Sequence, residues 1–289
     1  MQDTPQSEDE TAPFRGFSDL RQFTGTVALI GAGRMGSAML DGWIGLGLEP
    51  ARLVVIEPQP APPITALQGR GLRLNPNNAA GCADAVVLAV KPQTAADAMA
   101  AVAGMAAPTG VVISIMAGRN IAFLEAALGR NVAIIRAMPN TPAAVGRGIT
   151  VAVANRAVTS AQRGLANALL TAIGAVEWVE DETLIDAVTA VSGSGPAYVF
   201  LLAESLARAG ERAGLPAALA VRLARDTVAG SGELLHRSTL DAAVLRRNVT
   251  SPGGTTEAAL NVLMAADGLD PLMERAVAAA TKRSRELAG

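Results

Sequence analysis

Six residues near the start of the chain, Gly31-Ala32-Gly33-Arg34-Met35-Gly36, have the spacing of a backbone that holds a diphosphate. They follow the apolar run Val27–Ile30 and open a helical pattern through Met39, Leu40, Trp43 and Ile44. In a strand–turn–helix unit, Gly31 permits the tight turn, Gly33 lets the main chain approach a pyrophosphate, and Gly36 lets the helix lie close to the strand. The amides of Ala32, Arg34 and Met35 complete the loop, and the helix N-terminus favours negative charge. The alternative is a glycine-rich turn that binds nothing; its place between a strand and a helix favours a dinucleotide.

Three further groups lie where such a ligand would extend. Glu57 follows the run Leu53–Ile56, about 20 residues past the glycines, where a carboxylate accepts hydrogen bonds from ribose hydroxyls; a solvated strand-end residue is the alternative. Ala89-Val90-Lys91-Pro92 closes another apolar run. The carboxyl ends of parallel strands are where doubly wound folds bind ligands, which would set Lys91 over a cofactor; a lysine that merely caps a strand also fits. Arg136-Ala137-Met138-Pro139-Asn140-Thr141-Pro142 ends a strand in a loop stiffened by two prolines, with Asn140 and Thr141 as its polar groups.

Later in the chain, Ser192-Gly193-Ser194-Gly195-Pro196-Ala197-Tyr198 breaks one helix and begins another, and its glycines allow close backbone approach. Thr250-Ser251-Pro252-Gly253-Gly254-Thr255-Thr256-Glu257 stands at a helix start, where N–H groups, dipole and hydroxyls make an anion site suited to a carboxylate. A well-capped helix with no ligand is the plain alternative. Absences narrow the chemistry. Tyr198 is the single tyrosine, Lys91 and Lys282 are the two lysines, and His236 is the single histidine, read as a half-exposed structural residue. There is no tyrosine–lysine pair for alcohol oxidation and no histidine–cysteine cluster for zinc. An iminium arrives already protonated, so its reduction needs no strong acid, and this residue set suits imine better than carbonyl reduction.

The elements that must position these groups alternate along the first half. Apolar runs at 27–31, 53–56, 85–90, 111–115, 132–136, 149–153 and 175–179 predict strands, the first six continuous as in strands buried on both faces. Segments 35–47, 62–69, 94–103, 120–128 and 159–173 predict helices between them. The pattern predicts a doubly wound parallel sheet over residues 24–180. Residues 181–289 predict helices at 183–192, 196–213, 216–236, 255–266 and 270–287. The segment Tyr198–Leu202 is apolar all round, so it is expected to be buried against a second subunit.

Composition bounds the remainder. The 289 residues are 50% apolar and 17% charged, with a formal net charge of −2. Without a basic excess, nucleic acid is not an expected partner. The one cysteine, Cys82, fits a reducing compartment and a core thiol. Residues 1–23 are polar and acidic, lack the apolar core of a secretion signal, and read as a disordered tail. No uncharged apolar run reaches the length of about 18 residues that spans a bilayer. A cytoplasmic protein without membrane or nucleic-acid partners is expected.

From about Gly25 onward the chain resembles pyrroline-5-carboxylate reductases, on Ile30–Gly36, Ala89–Pro92, Met138–Pro142, Ser192–Tyr198 and Thr250–Thr256, in that family's order and spacing. The resemblance implies a Rossmann-type domain, an all-α C-terminal dimerisation domain, and dimers that often assemble into decamers. It implies reduction of Δ1-pyrroline-5-carboxylate to L-proline with NADPH or NADH. It assigns Gly31 to Met35 and Ala89–Pro92 to the cofactor, Asn78 to the adenosine ribose, and Ser251 with the Gly253–Thr255 backbone to the substrate carboxylate. Thr256 would face the pyrroline nitrogen. Asn140 joins the expected cofactor residues. Glu57 replaces the small hydroxylic or basic residues common at that position, which tilts the expectation to NADH. Ser238–Leu245 lacks the usual His-Pro pair. Competing readings are a β-hydroxyacid dehydrogenase or imine reductase relative, disfavoured by the missing lysine, and a non-catalytic NAD-binding regulator.

Overall fold

A computed structural model describes residues 20–78 and 81–288. Contacts divide the chain into two compact units, one running to Ile185 and taking in Leu287 onward, the other spanning Asp186–Glu286. Of the tail expected at 1–23, residues 1–19 lie outside the described residues. Leu20–Gln22, within the segment expected to be a tail, form a 3-10 turn whose Leu20 is buried.

The first unit is built on an eight-stranded sheet in the order β3-β2-β1-β4-β5-β6-β7-β8. Its strands are β1 (Val27–Ile30), β2 (Leu53–Ile56), β3 (Arg73–Leu74), β4 (Ala83–Leu88), β5 (Ala106–Ser114), β6 (Ala133–Met138), β7 (Gly148–Ala154) and β8 (Gly174–Trp178). Neighbours run parallel except β6 and β7, which pair antiparallel. The expected doubly wound parallel sheet is present, with this one antiparallel pair as the departure. Residues 139–147 join β6 to β7 through a 3-10 turn at Thr141–Val145. So short a link cannot make the crossover that a parallel neighbour needs.

Side chains alternate across the sheet as a two-residue period requires. Leu29, Val55, Val87, Ile113 and Ile135 face one layer, where α1 (Arg34–Gly45) buries Met39, Leu40 and Trp43 and α5 (Ser160–Thr171) buries Leu169 and Leu170. Ala28, Val54, Val86, Val112 and Ile134 face the other, covered by α3 (Ala95–Met105) and α4 (Ile121–Leu128). The short α2 (Pro62–Ala66) adds Ile64. Trp43 Nε1 donates to the Leu169 carbonyl at 2.8 Å, tying α1 to α5. Cys82, expected in the core, is only partly buried, at the entry to β4.

The second unit is helical: α6 (Leu184–Val188, which begins in the first unit), α7 (Gly195–Arg212), α8 (Ala217–Arg237), α9 (Ala242–Asn248), α10 (Thr255–Leu263) and α11 (Leu269–Ala288). A π-helical turn, Thr189–Gly193, separates α6 from α7, and Tyr198 Oη donates across it to the Ala190 carbonyl at 3.1 Å. Helix α9 falls in the segment without the His-Pro pair and was not expected. The all-round burial foreseen for Tyr198–Leu202 is absent within one chain: Phe200 is 64% and Leu202 56% exposed. Leu206, Val221, Leu223, Leu234 and Leu235 are exposed as well. His236 is exposed on α8.

Candidate functional site

The three glycines of the turn meet different surroundings. Gly31 has φ +91°, and a Cβ there would meet the Ala89 carbonyl and Val90 Cγ1, each at 2.8 Å. Gly36 packs so close to the Gly31 carbonyl oxygen that a Cβ would collide with it. At Gly33 a Cβ would meet nothing within 4 Å, so the turn presents open space at that point. Gly33 is the N-cap of α1 and no side chain caps the helix. The first-turn amides of Arg34, Met35 and Gly36 therefore keep the unpaired donors of a helix start. Strain, close packing, open approach and unpaired amides together fit a diphosphate.

Glu57 follows β2 and bends back onto this loop. Its Oε2 accepts the Ala32 N–H at 2.8 Å and its Oε1 accepts the Gln59 N–H at 3.0 Å. The Ala32 amide is thus engaged by a carboxylate, which leaves the first-turn amides of Arg34, Met35 and Gly36 as the unpaired donors of the turn. A carboxylate pair of oxygens offers about four lone-pair sites, so Glu57 retains capacity for ribose hydroxyls. Asn78 is exposed shortly after β3.

The ends of β4, β5 and β6 lie in register at one edge of the sheet: Leu88 pairs with Ser114, and Ser114 with Arg136. Ala89 donates its N–H to the Ile30 carbonyl at 2.8 Å, which seats Ala89 and Val90 beside the glycine turn. Lys91 is exposed, and its carbonyl accepts both the N–H and the hydroxyl of Thr94 at 3.0 Å, so a 3-10 turn over Pro92–Thr94 starts there. Asn140 Oδ1 accepts the Ile149 N–H at 3.0 Å. It staples the proline loop to β7.

In the helical unit, Thr250–Thr256 forms a tight turn into α10. Gly253 has φ +68°, and the Gly254 N–H donates to the Ser251 carbonyl at 3.0 Å. One contact here was not expected from sequence: Gly253, assigned with its neighbours to a carboxylate, donates its N–H to Glu257 Oε2 at 2.7 Å. A carboxylate from the third helical residue has reached back one residue beyond the usual capping-box partner. No side chain caps Gly254, so the Thr255 and Thr256 amides remain the donors of the helix start. Ser251 is exposed and Thr256 half-buried. In the Ser-Gly-Ser-Gly-Pro break, Ser192 Oγ is buried with no hydrogen-bond partner.

Several residues near these groups were not singled out from sequence. Arg136 is 5% exposed, and its Nη1 lies 2.8 Å from Glu182 Oε1, which also accepts the Ile121 N–H at 2.8 Å. Arg119 donates to the Pro92 carbonyl at 3.3 Å and lies over the Phe123 ring at 4.6 Å. Asn75 brackets Glu57, as described below. None of these carries a local pattern, because each hydrogen-bond partner is 18 or more residues away. A cavity of about 620 Å³ opens at the opposite, amino-terminal ends of β5 and β6, lined by Pro108, Thr109, Leu128, Val132 and Gln162 among others. No titratable side chain lines it, so it is set aside from the chemistry.

Residues 182–287 match the family model described as pyrroline-5-carboxylate reductase dimerisation. Residues 26–118 match the one described as NADP oxidoreductase, coenzyme F420-dependent. The chain is 42% identical over 267 residues to a pyrroline-5-carboxylate reductase of Pseudomonas aeruginosa, covering 92% of this chain and 97% of that one. A solved pyrroline-5-carboxylate reductase from Coxiella burnetii superposes with a TM-score of 0.85 at 36% identity, covering 92% and 99% of the two chains. A Plasmodium falciparum pyrroline carboxylate reductase solved with NADP bound gives 0.76 at 30% identity, with the same coverage. With the glycine turn, the sheet order and the α10 turn in place, likeness over nearly the whole length of both chains has one meaning: this chain belongs to the pyrroline-5-carboxylate reductase family.

Proposed function

We propose that this protein reduces Δ1-pyrroline-5-carboxylate to L-proline, the two electrons coming as hydride from a nicotinamide dinucleotide. The observation that carries the reading is the 42% identity to a pyrroline-5-carboxylate reductase across nearly the whole chain. Two local geometries support it: the open Gly33 turn with uncapped α1, and the uncapped start of α10.

The residues present suit each partner. Gly31, Gly33 and the amides of Arg34 and Met35 would hold the diphosphate, and Gly36 keeps α1 close enough for its dipole to act. Glu57 and Asn78 would take the adenosine ribose, and Ala89–Pro92 with Asn140 the remainder of the dinucleotide. When bound, the nicotinamide supplies the hydride. In the helical unit, the Thr255 and Thr256 amides and the Ser251 hydroxyl would bind the substrate carboxylate. Gly253 and Gly254 shape that turn, and the Thr256 hydroxyl would orient the ring nitrogen. A pyrrolinium that arrives protonated takes hydride at its C=N carbon and leaves as a neutral amine, so Thr256 need not donate a proton.

The carboxylate at Glu57 favours NADH. Against the 2′-phosphate of NADPH it sets like charges in close contact, which cost several kcal/mol in a desolvated interface. At this half-exposed strand end the penalty falls to about 1–3 kcal/mol, or roughly 5- to 150-fold. The exposed apolar surface of α7 and α8 supports self-association. The run Leu184–Arg212 has the length and apolar content of a membrane span. It also carries Glu204, Arg208, Glu211 and Arg212, which suit a protein interface bordered by water better than a bilayer. The dimer, assembly beyond it, and a cytoplasmic location are parts of this proposal.

The test is oxidation of NADH and of NADPH with pyrroline-5-carboxylate, in wild type and Glu57→Ser. We expect turnover, with higher kcat/KM for NADH and a reduced preference in the variant. No turnover with either cofactor would overturn the activity. A wild-type preference for NADPH, or an unchanged ratio in Glu57→Ser, would reduce Glu57 to a solvated strand-end residue.

A further inference from the structure

Asn75 is the single non-glycine residue with positive φ among the described residues, at +45°. Asparagine tolerates that region because its short side chain can hydrogen-bond locally. Here the side chain reaches the neighbouring strand. Its Oδ1 accepts the Glu57 N–H at 2.9 Å, and its Nδ2 donates to the Glu57 carbonyl at 2.9 Å. Its own N–H donates to the Val55 carbonyl at 2.8 Å.

The arrangement continues a ladder that the backbone has abandoned. β3 pairs with β2 through Val54–Arg73 and Val55–Leu74, then ends; Pro76 could not donate a further rung. Beyond that point the Asn75 carboxamide acts as a peptide group would, satisfying both main-chain groups of Glu57. Both main-chain groups of Glu57 are clamped, and Pro58 next in sequence disfavours the helical region for it, so its backbone is restricted. Its carboxylate then falls on the Ala32 N–H and the Gln59 N–H.

We propose that Asn75 is a positioning residue for dinucleotide selection: it fixes the Glu57 backbone so that the carboxylate is presented at the glycine turn in the orientation that meets the ribose 2′-position. The inference rests on the reading of Glu57 as the group that favours NADH. Asn75 touches no part of the cofactor in this scheme. Its removal loosens Glu57, whose carboxylate then swings toward solvent, lessening both the ribose hydrogen bonds with NADH and the repulsion of NADPH.

The test compares dissociation constants of NADH and NADPH by calorimetry, without substrate or turnover. It uses the full chain as wild type, Asn75→Gly, Glu57→Gln and the double variant. Glycine keeps the positive φ and removes only the carboxamide, so thermal unfolding should move little. Two exposed neutral hydrogen bonds are at stake, and the NADH-over-NADPH affinity ratio should fall about 3- to 10-fold in Asn75→Gly. In the Glu57→Gln background the same change should leave the ratio unaltered. The Ala32 amide proton, followed by NMR, should shift in Asn75→Gly toward its position in Glu57→Gln. If Glu57→Gln leaves the ratio at its wild-type value, the reading of Glu57 fails and this inference falls with it. If Glu57→Gln collapses the ratio but Asn75→Gly does not, the inference alone is wrong. It is also overturned if Asn75→Gly weakens both cofactors equally, shifts the ratio as strongly without Glu57, or prevents folding, since each would make Asn75 a structural residue only.

Discussion

Alanine at Gly33 and at Gly36 should separate cofactor binding from folding. A Cβ at Gly33 meets nothing within 4 Å, and the backbone there, at φ −68° and ψ −161°, is open to alanine. Alanine is a poorer N-cap than glycine by about 0.5–1 kcal/mol. The stiffer unfolded chain returns about 0.4–1 kcal/mol. The two nearly cancel, so Tm should stay within about 2 °C of wild type. The methyl group would nevertheless stand in the space proposed for the diphosphate. Loss of one charge-assisted hydrogen bond, about 1.5–3 kcal/mol, raises the Kd for NADH roughly 10- to 150-fold. Gly36→Ala behaves in the opposite way. Its Cβ would run into the Gly31 carbonyl and lie 3.4 Å from Ala89 Cβ. Backbone cannot rotate aside as a side chain can, so α1 must lift from the turn. Overpacking of this kind costs up to about 3 kcal/mol, and the helix propensity of alanine returns about 1 kcal/mol. The net loss of about 2 kcal/mol lowers Tm by roughly 4–8 °C. Calorimetric titration with NADH and thermal unfolding of both variants make the comparison. Wild-type affinity in Gly33→Ala, or wild-type stability in Gly36→Ala, would refute this division of roles.

At Gly254 a Cβ would lie 3.0 Å from the Ser251 carbonyl oxygen, so Gly254→Val should raise KM for the imino acid steeply while the Kd for NADH stays nearly unchanged; equal losses in both would sink the carboxylate assignment. Glu182→Ala strands the Arg136 guanidinium, which is 5% exposed, and frees the Ile121 amide. Removing one partner of a buried pair costs about 3–5 kcal/mol, and the 28% exposure of the Glu182 side chain reduces that to about 2–4 kcal/mol. Urea unfolding should read this loss, and a change under about 1 kcal/mol would show the pair to be solvated. Phe200→Glu places a charge on the exposed apolar face of α7, and light scattering should report a smaller species than wild type. An unchanged mass would mean that this face is not the contact.

What could be read along the chain was whatever depends on near neighbours. The glycines at 31, 33 and 36 are spaced by the conformational demands of one turn, and the structure gives them the three different environments that those demands imply. The β-branched runs mark seven of the eight strands; the first six are near-continuous because a strand buried on both faces has few polar residues to interrupt it, while β8 alternates between partly buried and exposed positions. The two-residue β3 was too short to leave a pattern, and the direction of β7 followed from the length of a loop, which hydrophobic periodicity does not encode. The burial expected at Tyr198–Leu202 came from composition alone, and within one chain that face is open. The site divides in the same way. That a carboxylate ends β2 was legible, but its grip on the Ala32 amide, 25 residues away, was not. Nor were the Asn75 clamp, the Glu182 partner of Arg136, or the return of Glu257 to Gly253. A hydrogen bond joins atoms rather than sequence positions, and only the packed sheet and the closed turns decide which donors and acceptors meet.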